Sequence, residues 1–148
     1  MMRPLTRTLV LTGFTLIAAT LVVRAQSPVT FIVPFEFTVG SRALPAGTYA
    51  VTNLSDRNVL SLQNTVTQSR VLVPGHASYH GGLPGRGVLR FNRYDTAYFL
   101  SAAWLDEDAG TELPMGRAER EYLARRSATA GCTMEPCHSE PVSLVAAR

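Results

Sequence analysis

Lysine is absent from the 148 residues; all 14 basic side chains are arginine. No site chemistry requires that exclusion, so it reads as coding bias. Histidine is scarce, at positions 76, 80 and 138, and cysteine is limited to Cys132 and Cys137. Charged residues make up only 17%, which excludes a disordered polyelectrolyte. With hydrophobic residues at 46%, that balance also excludes a multi-span membrane protein. The G-x-S-x-G turn, the H-E-x-x-H helix and the phosphate-cradling P-loop are all missing. With no visible catalytic apparatus, the expectation is a protein that is not an enzyme and needs no cofactor.

What the chain does have begins with an export signal. Arg3 and Arg7 give a positive start, and Leu9 to Val23 is apolar except for Thr12, Thr15 and Thr20. Such a run spans about 22 Å as a helix, short of the roughly 30 Å hydrocarbon core. Val23-Arg24-Ala25 then offers a cleavage site, so residues 1–25 read as a signal peptide and Gln26 as the mature start. Removing Arg3, Arg7 and Arg24 leaves 11 arginines against 11 acids. A basic footprint for nucleic acid is therefore not expected. Nor is a stable membrane span after cleavage. The compartment is periplasmic or extracellular, and any partner is an unidentified envelope or extracellular one.

The mature chain reads as mainly β. From Val29 to Val39, Phe31, Val33, Phe35, Phe37 and Val39 share one face, with Pro34 marking an edge or a bulge. Residues 40–47 read as a connection. Further strands are expected at 48–54, 59–63, 68–77 (broken by Pro74-Gly75), 88–94 and 97–104. In the last, Tyr98, Leu100, Ala102 and Trp104 fall on one side by strict alternation. Its lack of a polar side suggests a central strand. Residues 80–87 hold four glycines and read as a loop, and Asp106 to Gly110 as an acidic turn. Arg117 to Arg126 is free of Gly and Pro and favours a surface helix anchored by Tyr122 and Leu123. The expectation is a small antiparallel β-barrel or sandwich of about six strands with one C-terminal surface helix. The domain covers residues 26–126. Residues 127–148 lose periodicity and read as a flexible tail.

Pro34-Phe-Glu-Phe-Thr-Val-Gly40, Leu44-Pro-Ala-Gly-Thr-Tyr-Ala-Val51, Phe91-Asn-Arg-Tyr94, Tyr98-Phe-Leu100, Trp104 and Glu112-Leu-Pro114 occur in that order. The series resembles a family of small exported β-domain proteins frequent in acidobacteria. The resemblance implies a compact β-domain with a C-terminal helical segment and no activity. Asp95 stands where that pattern usually has glycine, and the tail with its two cysteines is not part of it.

Three clusters could carry chemistry. Cys132, Cys137 and His138 form C-x4-C-H, close to the run that attaches c-type haem. In an exported tail the favoured reading is a local Cys132–Cys137 disulfide. A metal or haem site with His138 is the alternative, making the chain a small redox or metal-carrying protein. His76 and His80 have the spacing of two helical metal ligands, but glycines around them argue for loop histidines. Arg86, Arg90 and Arg93 near Tyr94, Tyr98 and Trp104 could line a groove for a glycan or an anionic ligand. The competing reading pairs the arginines with Glu119 or Glu121 and buries the rings.

Overall fold

The computed structural model describes residues 27–54, 58–79, 85–106, 110–130 and 139–147. The expected signal peptide, His80, Cys132, Cys137 and His138 lie outside the described residues. Among those described, the chain is mainly β with one C-terminal helix.

The long apolar-alternating segment becomes two strands, β1 (Val29–Val33) and β2 (Phe37–Val39). The alternation is as read: Phe31, Val33, Phe37 and Val39 are buried, Phe35 is half-buried, and Ile32, Pro34 and Glu36 are exposed. Pro34 does more than mark an edge. Lacking an N–H, it ends one ladder, and the chain passes into the other sheet. The same happens at Gly75, between β6 (Arg70–Pro74) and β7 (His76–Ser78). The first sheet runs β1, β4 (Gly47–Leu54), β5 (Val59–Asn64), β6, all antiparallel.

The second sheet is built on β8 (Val88–Tyr94) and β9 (Ala97–Trp104), joined by the tight turn Asp95-Thr96. One edge of β9 is shared. Near its start it pairs with β2, which forms a hairpin with β3 (Arg42–Leu44). Towards its end it pairs with β10 (Gly110–Glu112), which in turn pairs with β7. As expected, β9 is central. Its faces, however, do not follow strict alternation. Arg90 faces Ala102 and Phe91 faces Leu100, so Ser101 is an extra residue. Such a bulge exchanges the two faces beyond it. Leu100 and Ala103 therefore share the main core, while Ala102 and Trp104 join Val88 in a second cluster.

The six sequence runs thus yield eight strands. β3 and β10 are too short to show a period of two, and they occupy segments read as a connection and a turn. The largest departure is at the C-terminus. The helix α1 extends over Arg117–Ala130 rather than stopping at Arg126, and Glu140–Val145 forms a further strand, β11. β11 pairs antiparallel with β8 along its length. Its inward residues Val142, Leu144 and Ala146 pack on the core. Ala146 N–H then bonds Gly87 O at 2.9 Å and Ala147 N–H bonds Thr30 O at 3.0 Å. The segment read as part of a loose tail therefore closes the seam between β8 and β1. Three alternating apolar residues were too few to register as a strand, but they suffice once a free edge is available to pair with.

The two sheets wrap one core in a barrel-like arrangement, with Phe31, Phe37, Tyr49, Leu60, Leu62 and Phe91 among its largest side chains. α1 lies on the outer face of β8 and β9. Tyr122 packs against Tyr94 and Phe99 and donates its hydroxyl to Tyr94 O at 3.1 Å. Among the described residues no helix is long and apolar enough to cross a membrane.

Candidate functional site

The sequence-named groove residues are split by the pleat of β8. Arg90 and Trp104 do come together, the guanidinium lying 4.5 Å from the ring centroid. Trp104 is fully buried beneath it. Tyr94 is also buried, and its hydroxyl bonds the Glu119 carboxylate at 2.9 Å. Arg93 points to the opposite face of β8 from Arg90, where it meets Glu140 at 3.4 Å and the carbonyl of Asp95 at 3.0 Å. Neither ring is presented to solvent. The acid that anchors the helix is met by Asn92 and Tyr94 rather than by an arginine. Arg117 pairs instead with Glu121 on the exposed side of α1, and its hydrogen bond and charge hold the Glu121 carboxyl below the usual carboxylate range.

His76 is exposed and sits across from Glu112 in the β7–β10 ladder. Among the described residues no three His, Cys, Asp or Glu side chains are grouped to hold a metal ion.

The concave region lies elsewhere, at one end of the barrel. The start of β1, the ends of β4, β7, β9 and β11, and the start of β10 converge there, away from α1. Two adjoining clefts open at this end, of about 750 Å³ and about 540 Å³. They share Val29, Leu105 and Asp106. Local sequence explains why space is left. Short side chains, Ala77, Ala103 and Asn53, stand among the lining residues of the smaller cleft. Small side chains at a barrel mouth leave room that larger ones would fill.

Asn53 reaches across the interior to β10, its Nδ2 donating to Thr111 Oγ1 at 2.9 Å. Its other amide atom, Oδ1, is shielded from solvent and has no partner. Reversing the amide would only exchange which end is satisfied, so one hydrogen-bonding group stays unmatched either way. A buried unpaired amide oxygen costs about 1–3 kcal/mol, and such groups mark strained or functional places. Around the clefts stand Asn58, Ser78, Tyr79, Arg86 and Asp106. Ser78 Oγ is engaged with Glu112 at 3.1 Å. Of this region, sequence reasoning named only Arg86, because the lining residues come from separate segments and belong to no short motif.

No protein-family model matches the chain, and no curated protein and no solved structure matches it.

Proposed function

We propose that this is an exported, non-catalytic β-domain that binds a ligand at the cell envelope through the open end of its barrel. The observation that carries the reading is the pair of adjoining clefts at that end, with the unpaired Asn53 amide beside them. Concave, largely preformed sites with a few convergent polar groups are the usual places for small ligands, and barrel mouths are among the commonest. Export is supported by the N-terminal run and the arginines before it. Of the residues that carry the resemblance to the acidobacterial family, Phe37, Val39, Leu44, Tyr49 and Val51 belong to the core. That pattern supports a shared fold and leaves the activity to the mouth.

The test is amide chemical-shift mapping of the mature chain with a library of small neutral fragments. Binding shifts should gather at Asn53, Ser78, Leu105 and Gly110. Shifts confined to the outer face of the first sheet, around Thr48, Ala50 and Leu72, would contradict the assignment.

A further inference from the structure

We infer that a second copy of this chain docks on the open edge of β6, the two strands pairing about a two-fold axis at Leu72. β6 is the last strand of the first sheet, and among the described residues no strand pairs with its far side. Which main-chain groups face that side follows from the ladder. Asn64 N–H bonds Ser69 O at 2.9 Å, and Gly75 N–H bonds Asn58 O at 2.8 Å. Both bonds continue the register that sets Leu62 opposite Val71 and Leu60 opposite Val73. Antiparallel pairs alternate between bonded and non-bonded, so Ser69, Val71, Val73 and Gly75 turn their peptide groups to β5. Arg70, Leu72 and Pro74 turn theirs to the open edge.

Exposed edges are normally guarded by charge, by proline or by a covering segment. Here the guard is thin. Arg70 is the only charged residue in the four strands of the first sheet, and its Nη2 donates to Gln63 Oε1 at 2.8 Å, which draws it toward β5. Leu72, at the centre of the edge, is 56% exposed. A two-fold axis there matches the edge with itself. The two Leu72 residues exchange a pair of N–H···O bonds, and each Arg70 N–H meets the carbonyl of the partner's Pro74. The donor that proline lacks then costs a single bond at each end. Leucine meets leucine at the centre, and the arginines stand at opposite ends. Moving the axis to Val71 would bring the arginines to diagonal positions about 7–8 Å apart, where like charges repel, so the charge selects Leu72. The pairing joins two four-stranded sheets into one across a small interface of the weak, transient class.

The experiment is sedimentation velocity and amide hydrogen exchange of the mature chain at about 10 μM and about 1 mM, a span that brackets weak association. The chain should be a monomer at the lower concentration and chiefly a dimer at the higher. Exchange at Arg70 and Leu72 should slow as the dimer forms, while Val71 and Val73, already bonded to β5, should not change. Leu72→Pro removes an outward N–H that β5 does not use, as Pro74 does in the parent, and should abolish the dimer. Leu72→Lys keeps that N–H but sets like charges opposite each other, and should do the same without touching the ladder. Ile32→Lys, at an exposed position on β1 across the sheet, should leave the dimer intact. A monomer at both concentrations, a dimer that survives both Leu72 variants, or one lost in Ile32→Lys would overturn the inference.

Discussion

The indole of Trp104 fills the space in which Gly110 would carry a β-carbon. The two residues face each other across β9 and β10, and the ring atoms Cδ1 and Nε1 press on the place where that carbon would sit. Trp104 is fully buried, its indole N–H has no partner, and Gly110 forms part of the cleft wall. Core packing and the mouth are thus joined at one residue pair.

Gly110→Ala should therefore be costly. The added methyl cannot be accommodated without displacing the ring, and overpacking of this kind costs about 1–3 kcal/mol. Urea unfolding followed by tryptophan emission measures it. A midpoint and emission spectrum identical to the parent would show that the ring has another place to go.

Glu119 ties the helix to the sheet. Its carboxylate is buried, 4% exposed, and accepts from Asn92 Nδ2 at 3.0 Å and from Tyr94 at 2.9 Å. Glu119→Ala removes a charged acceptor from two buried donors, which should cost about 1–3 kcal/mol. Hydrogen exchange should speed up over α1 more than over β4 and β5. Uniform acceleration would mean that the helix is not separately anchored.

Asp95 adopts a positive φ of 54° at the first position of the β8–β9 turn. Glycine takes that conformation freely, whereas an ordinary side chain loses about 1–2 kcal/mol there. Asp95→Val should destabilise by about that amount. Asp95→Gly should be neutral or stabilising by up to about 1 kcal/mol, although it gives up the exposed contact to Arg126 at 3.4 Å. Equal melting temperatures for the Val and Gly variants would contradict the turn geometry.

Phe31, Val33, Phe37 and Val39 announced their strands because a half-buried strand must alternate, and Pro34 announced a break because it lacks a donor. The exchange of faces at Ser101 was not legible. A bulge is one surplus residue, and nothing in Leu-Ser-Ala-Ala marks which residue is surplus. β10 and β11 were hidden for another reason: both are short strands stabilised by the edges they pair with. Of the mouth only Arg86 was legible, since Asn53, Tyr79 and Leu105 become neighbours only once the sheets close.

The placement of β11 bears on the two cysteines. The expectation was a local bond in a loose tail, but positions 132 and 137 lie between α1 and β11, both docked on the barrel. A disulfide across so short a loop would restrict the unfolded chain by about 2 kcal/mol. With both flanking elements docked, that constraint reaches the global transition. The Cys132→Ser, Cys137→Ser double variant should melt several degrees lower under oxidising conditions, as about 1 kcal/mol moves a domain of this size by about 4–8 °C. Reduced parent protein should match the variant. A difference below about 2 °C would mean that the bond, if formed, is uncoupled from the fold.

The account as a whole rests on an exported binding domain whose two cysteines hold neither metal nor haem. The most direct measurement is intact mass, metal content and absorption spectrum of the protein purified from its native envelope. The account predicts a chain beginning at Gln26, lighter than its reduced mass by two hydrogens, with no bound metal and no haem absorption. A Soret band, stoichiometric copper, or a chain that still begins at Met1 would contradict it.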